Sequence, residues 1–171
     1  APLHPQSAAI IARIASVGGD FLHPDFGENP DYGIPYTVVP RDQPLVPITF
    51  TAWPDESDPG PYPIPPDAPI EGGAGASGDR HVLVVREGTC DLFELGYAFP
   101  EAGGARWRAN IGARFDLTSN DLRPLGWTSA DAAGFPIAPL LFTADEVAAG
   151  EIDHAIRFIL PNDRVRRGYV R

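Results

Sequence analysis

The stretch GEIDHAIRF, at positions 150–158, places a histidine among apolar residues. If positions 152–158 form a strand, His154 shares one face with Ile156 and Phe158, because strand side chains alternate between two faces. A titratable ring on an apolar face requires a hydrogen-bond partner when it is buried. The pattern therefore predicts either a core histidine whose polar atoms are satisfied or a residue of a functional site.

A second histidine repeats this arrangement. His81 begins the strand-like stretch HVLVV and follows Asp79 by two residues. A carboxylate that accepts one ring N–H fixes the tautomer and leaves the other nitrogen for a proton, a ligand or a metal. Asp79, His81 and His154 together match the two-histidine, one-carboxylate set of a divalent-metal site. The alternative is that each histidine bonds a backbone carbonyl and packs in the core.

The small-residue run SADAAG, at positions 129–134, supplies further candidates. Its residues are small enough for another group to approach the backbone closely. Asp131 has the chemistry of a general base or of a group that orients a histidine. Ser129 adds a hydroxyl for a Ser–His–Asp triad, although the nucleophile pattern G-x-S-x-G is absent. The competing interpretation of this run is a tight turn packed beneath an aromatic residue.

A glycosidase requires two carboxylates across a cleft. The acidic residues considered for that role are Glu94, Asp116, Asp131 and Glu151. Their separation does not follow from sequence, so the pairing stays open.

The elements expected to position these residues are mainly strands. Apolar alternation predicts edge strands at YTVVP and LVPITFTAW, a hairpin from HVLVVRE and CDLFELGYAF, and continuation of the sheet through WRANIGARFDL. No βαβ rhythm is visible. We therefore expect a mainly β fold, an antiparallel β-sandwich or jelly roll with two short helices.

The two short helices have recognisable ends. The first is expected in SAAIIARIASVGG, with Ser7 as N-cap and Gly18 as the stop. The second is expected in TADEVAAG, where Thr143 and Glu146 have the spacing of a capping box and Gly150 ends the helix.

The length of 171 residues fits a single β-rich domain over residues 1–171. Residues 1–78 are expected to supply the first helix, edge strands and a proline-rich surface strap. Residues 79–171 are expected to supply the core sheet, because the earlier part has too few apolar residues for a core of its own.

Charge and composition exclude some partners. A formal net charge of −10 and a pI near 4.7 argue against nucleic-acid binding, which depends on Lys and Arg neutralising phosphates. No apolar run is long enough to cross a bilayer, so no membrane insertion is expected. The chain lacks methionine and starts at Ala1, which is typical of a mature secreted protein after signal-peptide removal.

Six stretches are distributed over positions 35–158: PYTVVP, PYPIPPDAPIEGG, DRHVLVV, TCDLFEL, FDLTSNDLRPLGWTSADAAGFPIAP and DEVAAGEIDHAIRF. Together they resemble an uncharacterised family of secreted bacterial and fungal proteins. The resemblance implies export, and the candidate residues that stand in its motifs are Asp79, His81, Ser129, Asp131, Glu151 and His154. The resemblance also implies further strand-like sequence beyond RRGYVR, which leaves two interpretations: this chain is a short relative, or a second polypeptide or self-assembly completes the sheet.

Two functions of different classes follow. The first is a secreted carbohydrate-active or carbohydrate-binding protein, with a glycan in an acidic cleft lined by Asp131, Glu151 and the two histidines. The second is a structural subunit of an extracellular assembly without catalytic activity. In that case the histidines are core residues, and the proline-rich strap and open sheet edges contact other subunits.

Overall fold

Two β-sheets, two short α-helices and three 3₁₀ turns make up the regular structure of the described residues. A computed structural model describes residues 3–17 and 33–160. Within them, seven strands are present: β1 Tyr36–Val39, β2 Ile48–Phe50, β3 Val82–Arg86, β4 Asp91–Gly96, β5 Phe99–Glu101, β6 Arg106–Ala109 and β7 Ile111–Asp116. The helices are α1 Ser7–Ser16 and α2 Ala144–Ala149. The predicted mainly β fold with two short helices is confirmed.

Each sheet contains one parallel pair of strands. The four-stranded sheet has the order β1-β3-β4-β7, and the three-stranded sheet has the order β2-β6-β5. β1 runs parallel to β3 and β2 parallel to β6, whereas the remaining neighbours are antiparallel. The predicted strand WRANIGARFDL divides at Asn110, so that β6 and β7 belong to different sheets.

The predicted hairpin over β3 and β4 forms in antiparallel register, with Val84 opposite Phe93. Its turn contains Gly88 at a φ of 73°, a left-handed conformation that costs glycine little. β4 alternates strictly: Phe93 and Leu95 face the core between the sheets, and Leu92 and Glu94 face the other side.

The core between the sheets receives residues from the proline-rich stretch. Tyr62 and Ile64 are fully buried there against Val84, Phe93 and Trp107. The expectation of a surface strap is therefore wrong for this part of the stretch. The physical reason is that its prolines alternate with large apolar side chains, which gain free energy by covering the sheet.

The helix ends agree with the sequence in one helix and differ in the other. In α2 the Thr143 hydroxyl accepts the backbone N–H of Glu146 at 3.3 Å, the Glu146 carboxylate accepts that of Thr143 at 2.7 Å, and Gly150 is left-handed. In α1 the N-cap is Gln6 and no side chain caps the helix, so the predicted Ser7 cap is wrong. Gly18 lies outside the described residues. No described helix has the length and apolarity needed to cross a bilayer.

The predicted strand over positions 152–158 is wrong. Residues 151–160 adopt neither helix nor strand, and no neighbouring strand pairs with them among the described residues. Apolar alternation alone does not make a strand, because its backbone groups need a ladder partner.

Residues 128–140, here called the cover segment, lie over the outer face of the four-stranded sheet. Ala138 packs against the apolar cluster of Leu92, Ala113 and Phe115 on that face. The backbone of Ala130 lies so close to β4 that a Cβ added at Gly96 would be 3.5 Å from its Cα. The prediction that SADAAG permits a close backbone approach is confirmed, and the approaching group is the sheet itself.

Candidate functional site

A cluster of titratable and polar side chains lies between the four-stranded sheet and the cover segment; its members are Glu71, His81, Glu94, Ser129 and Asp131. His81 continues β3 on the face that the cover segment occupies, and its side chain is buried. Its Nδ1 lies 2.6 Å from Glu71 Oε2, and its Nε2 lies 2.9 Å from the carbonyl oxygen of Ala130. Both partners accept hydrogen bonds, so both ring nitrogens donate and His81 is an imidazolium paired with the Glu71 carboxylate.

Electrostatics agrees with this protonation state. Burial by itself lowers the pKa of His81, but the hydrogen bond and charge of Glu71 outweigh it and hold that pKa above its usual value. Burial raises the pKa of Glu71, yet the hydrogen bond and charge of His81 hold it below its usual value. Both shifts favour the ionised pair.

Glu94 is the most deeply buried carboxyl group of the cluster, with 0% of the residue exposed. Its Oε1 accepts the backbone N–H groups of Ile137 at 2.8 Å and Ala138 at 3.0 Å, both in the cover segment. Its Oε2 has no hydrogen-bond partner in the described part of the chain. Burial raises the pKa of Glu94 to about 7, against the two backbone hydrogen bonds and the charge of His81, which lower it.

The acidic group of SADAAG forms an ion pair. Asp131 Oδ1 accepts hydrogen bonds from Arg157 Nη2 at 2.7 Å and Nε at 3.2 Å. Its Oδ2 accepts the backbone N–H of Ala133 at 3.1 Å. Asp131 therefore connects the cover segment to the chain that follows α2.

Ser129 is buried and braces a turn. Its hydroxyl lies 2.8 Å from the carbonyl oxygen of Asp131 and 2.7 Å from that of Phe135, and it accepts the Asp131 N–H at 3.0 Å. These contacts engage the hydroxyl with the backbone, and no histidine contacts it among the described residues. The tight-turn interpretation of SADAAG describes this geometry, whereas the Ser–His–Asp triad does not form.

His154 belongs to a separate, exposed pair. Its Nε2 lies 2.9 Å from Glu146 Oε1 and its Nδ1 lies 2.8 Å from the carbonyl oxygen of Ala155. The side chain is 30% exposed. The backbone carbonyl of Ala155, together with the charge of Glu146, raises the pKa of His154. The expected position on a buried strand face is wrong, because residues 151–160 are not a strand.

Asp79 and Glu151 are both exposed. The backbone carbonyl of Asp79 accepts the N–H of Tyr97 at 2.7 Å, and neither carboxylate makes a hydrogen bond within the described residues. Thus His81, Ser129 and Asp131 are brought together at the cover segment, and Asp79, Glu151 and His154 do not join their hydrogen-bond network.

The predicted metal set of Asp79, His81 and His154 is wrong for the described residues. Over 3–17 and 33–160, no group of three or more His, Cys, Asp or Glu side chains is placed to hold a metal ion. The reason is that each imidazole binds its own carboxylate, Glu71 or Glu146, and uses its second nitrogen on a backbone carbonyl.

Sequence reasoning did not identify Glu71 or Arg157 as partners of the candidate residues, and it did not recognise the buried position of Glu94. Glu71 lies in the loop before β3 and carries no local signal for pairing with His81. Arg157 lies in the stretch for which a strand is predicted, and that pattern gives no signal for its pairing with Asp131. Glu94 did carry a signal, because a glutamate that shares a strand face with Leu92 in CDLFELG is a charge on an apolar face.

Two surface clefts lie elsewhere on the molecule. One, of about 350 Å³, is lined by Phe142, Thr143, Ala144 and Val147. The other, of about 190 Å³, lies beside Asp58, Arg114 and Arg123. Asp116, considered above as a glycosidase carboxylate, also lines the second cleft, whereas neither cleft is lined by any of the other candidates: Asp79, His81, Glu94, Ser129, Asp131, Glu151 and His154.

Comparisons of the chain with protein-family models, curated proteins and solved structures find no match. The resemblance to a secreted family therefore stays a prediction, and the functional argument depends on the geometry alone.

Proposed function

We propose that the protein is a non-catalytic structural subunit that self-associates, and that residues 152–158 form the contact between two copies. The observation that carries the proposal is an apolar segment whose backbone and side chains are left available at the surface. The extracellular location of the resulting assembly stays a prediction.

The backbone of this segment offers hydrogen-bonding groups to a partner. In residues 152–160, the one backbone hydrogen bond to another described part of the chain runs from Arg157 N–H to the carbonyl oxygen of Leu140, at 2.9 Å. Unpaired N–H and C=O groups along a chain are a template for an added strand. A partner strand supplies both kinds of group at the required spacing.

The side chains divide into anchors and exposed apolar groups. His154 and Arg157 hold the segment through Glu146 and Asp131. The apolar residues point outward, with exposed fractions of 38% for Ile152, 42% for Ile156, 48% for Phe158 and 79% for Ile159. Several exposed apolar side chains beside unpaired backbone groups favour a protein partner over solvent.

The sequence of the segment is complementary to itself. In an antiparallel register centred on Ala155, Ile152 of one copy lies opposite Phe158 of the other, and Asp153 lies opposite Arg157. The pairs Ile152–Phe158 and Asp153–Arg157 are favourable cross-strand pairs, and the remaining pair places His154 opposite Ile156. A two-fold axis through Ala155 makes the interface isologous, the commonest symmetry of homodimers.

Introducing one charged side chain into the proposed interface tests the contact. Ile152→Asp places a carboxylate opposite Phe158 twice in each dimer, so sedimentation equilibrium is expected to show a monomer. Leu125→Asp is the matched control. Leu125 is 72% exposed and lies before the cover segment, outside the proposed contact, so its variant is expected to dimerise like the wild type. A contact of this size predicts a dissociation constant on the order of micromolar to millimolar.

Cross-linking tests the register. In a Cys90→Ser background, which removes the exposed natural thiol, an Ala155→Cys variant is expected to form an intermolecular disulfide under mild oxidation. Ile159→Cys in the same background is the control, because residue 159 lies opposite residue 151 and not opposite itself. A wild-type protein that is monomeric at millimolar concentration contradicts the proposal.

The carbohydrate function stays a prediction that no observation at the cluster favours. Its central groups, His81 and Ser129, are buried and bonded within the chain, and Glu94 is sealed beneath the cover segment. A glycan array with the purified protein tests it directly.

A further inference from the structure

Glu94 has an environment that satisfies neither of its protonation states completely. One oxygen accepts two backbone N–H groups of the cover segment, and the other lies in a fully buried position without a partner among the described residues. A buried oxygen without a hydrogen-bond partner raises the free energy of a carboxylate far more than that of a neutral carboxyl group. The protonated form is therefore the one that suits the closed structure.

The groups around Glu94 offer no direct counter-ion. Its register neighbours on β3 and β7 are Leu83 and Ala113, which carry no charge. The charged groups that act on it are His81, at the start of β3, and Asp131, in the cover segment. These two are already paired with Glu71 and Arg157 respectively. An ionised Glu94 therefore gains a partner for its second oxygen only when water enters.

Water reaches this oxygen when the cover segment lifts. The two N–H groups bound to Glu94 belong to Ile137 and Ala138, and Ala138 also packs on the apolar cluster of the same sheet face. Lifting these residues hydrates the carboxylate and costs the apolar contacts of Ala138. The balance between these two free energies depends on the charge of Glu94.

We propose that Glu94 is a pH-dependent latch that holds the cover segment on the four-stranded sheet when protonated and favours its opening when ionised. The raised pKa of about 7 places the change near neutral pH. The sign is fixed by that direction: a carboxyl whose pKa is raised on folding weakens the closed state as pH rises from its ordinary value through the raised one. The latch does not depend on the proposed self-association.

Hydrogen exchange measured by mass spectrometry tests the latch, since amide protection reports local opening. Protection factors, corrected for the intrinsic pH dependence of exchange, are compared at pH 5.5 and pH 8.5. In the wild type, protection of residues 128–140 is expected to fall at the higher pH. The pKa difference between 4.5 and about 7 limits the whole fall to about 300-fold, and about 30-fold of it lies between pH 5.5 and pH 8.5.

Glu94→Gln keeps the shape and the Oε1 acceptor but does not ionise, so its protection over residues 128–140 is expected to fall less between the two pH values than that of the wild type. The fall that remains comes from His81, which bonds Ala130 and loses its charge over the same range. Glu87→Gln is the matched control, because Glu87 is an exposed glutamate of the β3–β4 turn, and it is expected to behave as the wild type. Peptides from β3 and β4 serve as internal reference in every sample.

Three results overturn the proposal. The first is constant protection of the wild-type cover segment between the two pH values. The second is an equal fall in Glu94→Gln. The third is an equal fall in the β3 and β4 peptides, which indicates global destabilisation. If Glu94→Gln fails to fold, the wild type alone is used. A fall in protection confined to its cover segment then supports the proposal, and the first or the third result overturns it.

Discussion

Replacing His81 with alanine tests whether this buried histidine stabilises the fold. The change removes two side-chain hydrogen bonds: the Ala130 carbonyl loses its partner, and Glu71 Oε2 keeps only the backbone N–H of residue 81, at 3.3 Å. An abandoned buried acceptor costs about 1–3 kcal/mol. The carbonyl is covered, whereas the Glu71 side chain is 26% exposed and recovers part of its hydration. The expected loss in the free energy of unfolding is therefore roughly 2–4 kcal/mol.

Urea unfolding at pH 6, followed by the fluorescence of the buried Trp107, measures this loss. His154→Ala is the control in the same assay. The exposed His154 side chain contacts the surface residue Glu146 and its own neighbour Ala155, so the unfolding midpoint is expected to stay within experimental error of the wild type.

The effect of His81→Ala also has a pH dependence. Because the folded state raises the pKa of His81, the stabilisation from its ionised pair is fully present below the ordinary value of about 6.5 and is lost as pH rises through the raised value. The difference between wild type and variant is therefore expected to shrink from pH 6 to pH 9. Wild-type stability in His81→Ala at pH 6, or an equal loss in His154→Ala, refutes the reasoning.

Two further predictions concern backbone space and metal. Gly104→Ala would drive a Cβ into the backbone of Pro66 at a left-handed position, so a loss of more than about 2 kcal/mol is expected in urea unfolding, against about 1 kcal/mol for Gly103→Ala, which is left-handed in open space. Similar losses in the two variants contradict the packing argument. Treatment with EDTA is expected to leave the melting temperature unchanged, since within 3–17 and 33–160 no metal-binding group converges. A fall that a divalent ion reverses speaks against this.

Local patterns account for the parts of the fold that were predicted. The capping box of Thr143 and Glu146 depends on residues three positions apart, and the β3–β4 hairpin depends on alternation interrupted by Gly88. Such features form through contacts between near neighbours, so the sequence contains all the participants.

The partners of the two histidines show where local reasoning fails. The sequence suggested Asp79 for His81, but the loop before β3 returns Glu71 to the ring. For His154, α2 supplies Glu146 from eight positions upstream. Chain reversals decide both choices, because they bring a carboxylate from another segment of the chain to each ring.

The amino-acid sequence by itself determined a mainly β chain with two short helices, and it offered six candidate site residues, of which the structure brings together His81, Ser129 and Asp131. Only the tertiary structure decided that these residues fasten a cover segment, that Glu94 is sealed beneath it, and that residues 152–158 lack a strand partner. The physical reason is that burial and pairing are properties of surfaces brought together from distant parts of the chain, whereas helix caps and turns are completed within a few residues.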